Sequence, residues 1–131
     1  METKQVIVIR KDLKMRKGKM IAQGAHASMK VILDEMINIE GNDEIKVLNL
    51  LDGEPLYEWV NGIFTKIVVG CDSKEEILEL RVKAQRHKIR CALIQDVGKT
   101  EFHGELTYTA LAIGPDEADK IDKITGHLKL L

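Results

Sequence analysis

At 131 residues with a formal net charge of −1, the chain has room for one hydrophobic core and not two, so a single domain over residues 1–131 is expected. No apolar run approaches the roughly 18 residues that span a bilayer, and residues 1–4 lead into a strand with no signal-peptide pattern. The near-neutral balance argues against indiscriminate coating of nucleic acid, but it is uneven: residues 1–30 carry eight Lys/Arg against two acids, and residues 31–62 carry eight acids against one lysine, a local positive patch suited to directing one anionic ligand to one place.

The run from Gln5 to Arg10 is apolar on both faces and reads as a central strand covered on both sides. A basic loop, Lys11 to Lys17, leads into a helix predicted from about Lys17 to Ile39. At about 100° per residue, Lys19, Gln23, His26 and Lys30 fall on one narrow polar stripe, and Ile21, Ala25, Ser28, Ile32 and Met36 form the face expected to meet the core. Cations beside the free N–H groups of a helix start are suited to holding an anion. A solvated lysine face is the plain alternative; Gln23 and His26 in the stripe, directly after a buried strand, argue against it.

Residues 40–43 break the helix, Glu44 to Leu51 are compatible with another, and Leu56 to Asn61 make a short helix stopped by Gly62. Phe64 to Cys71 is the second strand. Ser73 and Glu76 form a capping box that opens a helix running to His87. Arg90 to Gln95 is the third strand, a polar loop spans Asp96 to Glu105, and Leu106 to Ile113 is the fourth strand, ended by Gly114-Pro115. A last helix runs from Asp116 to Thr125, with an apolar tail after Gly126. Helical crossovers make the first three strands parallel, and a loop alone makes the fourth antiparallel to the third. The fold class is therefore α/β, a mixed four-stranded sheet with helices on both faces. The basic loop and the Asp96 loop meet at the carboxyl ends of the parallel strands, where such sheets bind ligands.

Absent motifs narrow the chemistry. Ser28 is expected on the buried face of its helix and Ser73 is a cap, so neither is read as a nucleophile. Cys71 and Cys91 lie inside apolar runs and read as core thiols, which makes a reducing, cytoplasmic setting the default. No spacing among the cysteines and His26, His87, His103 and His127 suggests zinc, and neither a phosphate loop nor a dinucleotide fingerprint is complete. No metal or cofactor is expected, and any hydrolysis would use water directly. Asp96 and Thr100, facing the Lys19/Gln23/His26 stripe, form a candidate catalytic set: a carboxylate and a hydroxyl to hold water, and Gln23 and Lys19 to meet charge on a carbonyl oxygen. Asp96 as a turn residue capping its own loop, and His26 as a structural histidine, are the ordinary alternatives. Phe102 and Tyr108 are candidates for stacking on a base.

Leu13-Lys14-Met15, Lys17-Gly18-Lys19, Ala22-Gln23 and His26-Ala27 resemble the signature of the type II peptidyl-tRNA hydrolases of archaea and eukaryotes. So do Trp59 ahead of Lys66-Ile67-Val68, the loop Asp96-x-Gly-x-Thr100, and the ending from Ala112-Ile113-Gly114-Pro115 through Ile121 to Leu130. The resemblance covers essentially the whole chain. It implies a three-layer α/β/α sandwich, usually dimeric, that cleaves the ester joining a peptide to the 3′ end of tRNA and so recycles tRNA from abortive translation. The positions matching the family's functional residues are Lys14, Lys19, Gln23, Asp96 and Thr100, with His26 as a further candidate. Lys14, Arg16, Lys17, Lys30 and Lys99 are assigned to tRNA. Two departures stand out: Gly24-Ala25 occupies a position where the family commonly has Cys-Ser, and the loop after Thr100 is one residue longer than usual. A tRNA-binding module without catalysis and a protein-interaction domain are the competing readings; both leave the Asp96/Thr100 loop without a purpose.

Overall fold

The computed structural model describes residues 1–98 and 102–131. Among the described residues, six strands and four helices follow in the order β1 (Thr3–Arg10), α1 (Lys17–Asp34), β2 (Ile37–Ile39), β3 (Asn42–Val47), α2 (Pro55–Asn61), β4 (Lys66–Cys71), α3 (Lys74–Arg86), β5 (Cys91–Asp96), β6 (Thr107–Glu117) and α4 (Ala118–Thr125). The main sheet has the order β4-β1-β6-β5. β1 and β4 run parallel, from Gln5 opposite Lys66 to Arg10 opposite Cys71. β6 lies antiparallel to both β1 and β5. The three earlier strands of this sheet thus share one direction and the last opposes them, as the connections require.

Alternation along β1 divides the core into two layers. Val6 and Val8 pack with Leu111, Ile113 and the apolar sides of α3 and α4, where Ile77, Leu80, Ile121 and Ile124 are buried. Ile7 and Ile9 face the other way, with Ala27 and Val31 of α1 and the small residues Ala92, Ala110 and Ala112. Both faces of the sheet are covered, giving a three-layer sandwich. Each such aliphatic side chain withdrawn from water contributes about 1.5–3 kcal/mol.

Local chemistry sets the element ends. The Ser73 hydroxyl accepts from the Glu76 N–H at 3.0 Å, while Glu76 Oε1 accepts from the Asp72 N–H at 2.9 Å. The capping box is present, with its return bond one residue earlier than the usual arrangement. Buried Trp59 donates its indole N–H to the Thr65 carbonyl at 2.7 Å and stacks at 4.3 Å on Phe64, fixing the entry to β4.

Four expectations are corrected. α1 ends at Asp34 rather than Ile39, and residues 37–47 form a separate two-stranded hairpin, β2–β3, in place of a helix from Glu44. Ile37 pairs across to Val47, and Gly41, at φ +80°, makes the turn between the strands. β6 continues through Gly114-Pro115 to Glu117, because Lys4 and Thr3 still offer pairing opposite Asp116 and Glu117. The apolar tail, for its part, lies along the sheet: the Gly70 N–H donates to the Lys129 carbonyl and the Leu131 N–H to the Val68 carbonyl, both at 3.1 Å, which covers the outer edge of β4.

Lastly, α1 is rotated from the predicted orientation. It buries Gln23, Gly24, Ala27 and Val31, while Ile21 is 73% exposed and Ala25 is also open to solvent. A stripe of small residues lies closest to the alanine-rich sheet, so the bulkier apolar residues are left at its flank.

Candidate active site

The basic loop is shaped by what it buries. Met15 sits in the core and Leu13 packs against it, so the chain between Arg10 and α1 is pinned at two points. Arg10 Nε and Nη2 donate to the two carboxylate oxygens of Asp12 at 3.1 and 2.6 Å, and Nη1 donates to the Tyr108 carbonyl at 2.9 Å. This fork ties the loop to β6 and leaves Lys11, Lys14, Arg16 and Lys17 exposed. Arg16 is the N-cap of α1, with no side-chain cap and no acid in the first turn.

One and two turns further along α1, Lys19 and Gln23 meet Asp96 at the end of β5. Lys19 Nζ lies 3.0 Å from Asp96 Oδ1, with both side chains about 15% exposed (15% and 14%). Gln23 Nε2 donates to the same oxygen at 3.3 Å, and the Gly98 N–H donates to Oδ2 at 2.9 Å. Burial alone would raise the Asp96 pKa; the Lys19 hydrogen bond, the Gly98 N–H, the Lys19 charge and the Gln23 amide outweigh it and hold the carboxyl below its ordinary value. Gly98 takes φ +79°, and a Cβ there would collide with the Glu105 carbonyl oxygen. Only glycine fits this turn without displacing the loop.

Gln23 is 2% exposed and its amide is fully directed. The Thr109 hydroxyl, itself buried on β6, donates a hydrogen bond to Gln23 Oε1. That leaves Nε2 facing Asp96; the flipped amide would set its oxygen against an ionised carboxylate, which only accepts. Thr109 is a site residue that the sequence reading did not select. Its signal was a polar residue within an apolar strand, two positions after Thr107. Phe102 packs against the core and its ring lies 5.7 Å from Lys19 Nζ, closing the site on that side.

The structure therefore brings together Lys19, Gln23 and Asp96, with Lys14, Arg16 and Lys17 in the preceding loop. His26 lies exposed on the next turn of α1, with no hydrogen bond or ion pair among the described residues. Lys30 is exposed and pairs with Asp34 at 3.0 Å along the helix. Thr100 and Lys99 lie outside the described residues. Ser28 donates its hydroxyl to buried Gln5 at 2.6 Å, and Ser73 is the α3 cap, so neither serine stands at the site. Both cysteines are free; burial pushes the Cys71 thiol up to about 11 and raises Cys91 as well. Among the described residues, no group of three His, Cys, Asp or Glu side chains comes together and no helix is long and apolar enough to cross a membrane.

A model of the family described as peptidyl-tRNA hydrolase PTH2 matches residues 3–131. The chain belongs to that family. A peptidyl-tRNA hydrolase from Methanocaldococcus jannaschii is 42% identical over 128 residues, spanning 98% of this chain and 99% of the relative. One from Sulfurisphaera tokodaii is 42% identical over 131 residues, covering all of both, and one from Methanopyrus kandleri is 40% identical over 128 residues, 98% of this chain and 97% of its own. Among solved structures, a protein of unknown function from Agrobacterium tumefaciens strain C58 superposes with a TM-score of 0.60 at 14% identity, over 100% of this chain and 98% of the other. That likeness is one of fold.

This PTH2 family member has a second concave feature on the other flank of α1. Ile7 and Ile9 of β1, Val68 of β4, Ile21 and Met29 of α1 and Trp59 of α2 line a groove of about 900 Å³. Its lining is almost wholly apolar; the cations on it are Lys17 and Lys66. Lys66 Nζ lies over the Phe64 ring at 3.0 Å and the Trp59 ring at 4.7 Å, and its burial lowers its pKa.

Proposed function

We propose that this PTH2 family member, as one hydrolase domain over residues 1–131, cleaves the ester between a peptide and the 3′ end of tRNA by direct attack of water. Lys19, Gln23 and Asp96 stand at the ester in this reading. The observation that carries it is the convergence of an ammonium, a carboxamide and a carboxylate, with the amide directed by Thr109, at the start of a helix whose preceding loop presents cations. In the reaction the water oxygen bonds to the ester carbon, the bond to the ribose oxygen breaks, and the proton lost by water ends on that leaving oxygen.

A carboxylate with a lowered pKa is a weak proton acceptor at neutral pH. The low pKa of Asp96 thus favours a role in which it stays ionised, holds Lys19 and Gln23 in place and orients the attacking water. The second N–H of Gln23 and the charge of Lys19 are then available to the developing oxyanion. Thr100 is proposed as a further contact to the same water, and His26, open to solvent on the next turn, as a group facing the substrate rather than one built into the cluster. Lys14, Arg16 and Lys17 take tRNA phosphates, with Lys30 and Lys99 further out. We propose that neither a metal nor a cofactor takes part.

Turnover of a peptidyl-tRNA or an N-blocked aminoacyl-tRNA tests the reading. Hydrolysis that survives prolonged chelation, with magnesium's effect on tRNA folding controlled, is the expected result. Binding of tRNA without release of the peptide would return the chain to the binding-module reading. The cytoplasm, where translation supplies the substrate, is the proposed location. A homodimer is proposed as the working form on the family resemblance, and the open apolar groove beside α1 offers a face for it.

A further inference from the structure

The two edges of the main sheet are finished differently. Along β4 the tail supplies backbone partners to Val68 and Gly70. β5 is the opposite edge, and among the described residues no backbone hydrogen bond reaches its outer side. Its outward groups can be assigned. The Gly114 N–H donates to the Arg90 carbonyl at 2.8 Å, and the ladder continues with Cys91 opposite Ile113, Ala92 opposite Ala112 and Leu93 opposite Leu111. Antiparallel pairs alternate between those that exchange hydrogen bonds and those that do not. Arg90, Ala92 and Ile94 therefore turn their main-chain groups toward β6, while Cys91, Leu93 and Gln95 turn theirs outward. The register shift after Ile94 falls on β6, where Thr109 is the extra residue, so the alternation along β5 is unbroken.

An open edge is a template for another strand, and natural edges are ordinarily blunted by proline, by charged side chains or by a bulge. The run Cys91-Ala92-Leu93-Ile94-Gln95 carries none of the three. It leads straight to the site. Ala92 and Ile94 are buried beneath α1, and alternation carries Asp96 onto the same face, where Lys19 and Gln23 meet it. On the hydrolase reading, the peptides stranded by abortive translation share no sequence. Side-chain pockets cannot recognise such chains in general, but their amides and carbonyls are always present, and a sheet edge binds those. The edge from Cys91 to Gln95 has no cation, which disfavours the tRNA phosphates that the basic loop is suited to take.

We propose that the outer edge of β5 is the subsite for the peptide of the substrate, which adds to the sheet as a further strand with its ester at Asp96. The ester is at the carboxyl end of the peptide and Asp96 is at the carboxyl end of β5, so the added strand runs parallel to β5. At about 3.3 Å per residue, the edge from Cys91 to Gln95 accommodates roughly four residues. The N–H and carbonyl groups of Cys91, Leu93 and Gln95 are the ones it meets. The proposal rests on the hydrolase reading and adds to it how the peptide is held. The apolar groove, which includes Val68 of β4, lies toward the opposite edge of the sheet.

The test uses the full chain with two substrates, tRNA esterified with one N-acetylated residue and tRNA esterified with an acetylated tetrapeptide ending in that residue. The KM of the wild-type protein should be at least about tenfold lower for the tetrapeptide, since each main-chain hydrogen bond contributes roughly two- to tenfold. Changing the peptide's side chains to alanine should preserve that advantage. Methylating its amide nitrogens one at a time should raise KM at alternate positions only, because every second residue of a strand turns its main-chain groups to a given neighbour. On the protein side, Gln95→Pro removes one outward N–H at an edge position, where proline is tolerated. Relative to Gln95→Ala, which keeps that N–H, it should raise the tetrapeptide KM about fivefold without a matching rise for the one-residue substrate. Melting temperatures check both folds; if the proline variant does not fold, the methylation series on the wild-type protein decides alone. Equal KM values for the two substrates, or methylation losses without the alternation, overturn the proposal. A Gln95→Pro protein whose mass in solution falls gives the edge to a second copy and overturns it as well. Turnover of neither substrate overturns the hydrolase reading itself, and this proposal with it.

Discussion

The two flanks of α1 differ in everything except the helix they share. Toward β5, Lys19 and Gln23 are drawn into a network that satisfies a carboxylate, an amide and a hydroxyl in a partly buried site. Toward β4, Ile21 and Met29 are left open over an apolar hollow, 73% and 59% exposed. On the first flank each polar group is fixed by a specific neighbour, so a small change in one atom is felt by the rest. On the second flank the surface is defined by what is missing. The contrast teaches that one helix can carry a fixed polar network on one side and an open apolar surface on the other, with its stripe of small residues as the partition.

The largest expected effect is at Asp96. Asp96→Asn keeps the shape, removes the charge that holds Lys19, and should lower the single-turnover rate by roughly 100–10,000-fold, with tRNA affinity little changed. An Asp96→Asn enzyme that cleaves at the wild-type rate would dissolve the contrast between the flanks. The same substitution has a pH signature. Because the folded-state pKa of Asp96 is lowered, its contribution to stability is present above the ordinary carboxylate range and is lost as pH falls through the lowered value. The variant's loss of thermal stability relative to wild type should therefore be full at neutral pH and disappear in acid below that range.

Next comes Gln23→Ala, which removes a candidate oxyanion donor and should cost roughly 100–1,000-fold in turnover. Thr109→Val should be smaller, on the order of tenfold, since it removes one hydrogen bond and frees the Gln23 amide to turn. Thr109→Ser, which keeps the hydroxyl, should restore most of the rate, whereas a purely packing role for Thr109 would make serine as poor as valine or worse. In the loop, Lys14→Ala should leave single-turnover rates at saturating enzyme intact while weakening tRNA binding. It should also flatten the salt dependence, by a slope of roughly 0.7 for each phosphate that the lysine no longer neutralises. The smallest effect is expected on the apolar flank, where Ile21→Ser should leave the hydrolysis rate unchanged. A rate loss there as large as that of Gln23→Ala would mean that the two flanks are not separable.

Much of this was legible from residues alone. The doubly apolar run at Val6–Ile9 determined a covered central strand, and the spacing of helices between strands determined which strands run parallel. Ser73 and Glu76 determined where α3 begins. The family motifs, carried in order along the whole chain, determined the activity, and they selected Lys19, Gln23 and Asp96 before any contact between them was known.

The tertiary structure decided the rest, for reasons that periodicity does not contain. Hydrophobic spacing counts large apolar residues, so it turned Ile21 and Ala25 toward the core; instead Ala27 and Val31 pack with the alanines of β5 and β6, and Gly24 lies over Ile7 and Ile9 of β1. Gln23 could be buried only because Thr109 and Asp96, 86 and 73 residues away in sequence, satisfy its amide. Short runs such as Ile37-Asn38-Ile39 fit a helix end or a strand equally well, and only cross-strand pairing with Val47 and Lys46 chose the strand. The position of β6 between β1 and β5, and the closing of the β4 edge by the tail, depend on backbone hydrogen bonds between distant segments, which carry no side-chain signature.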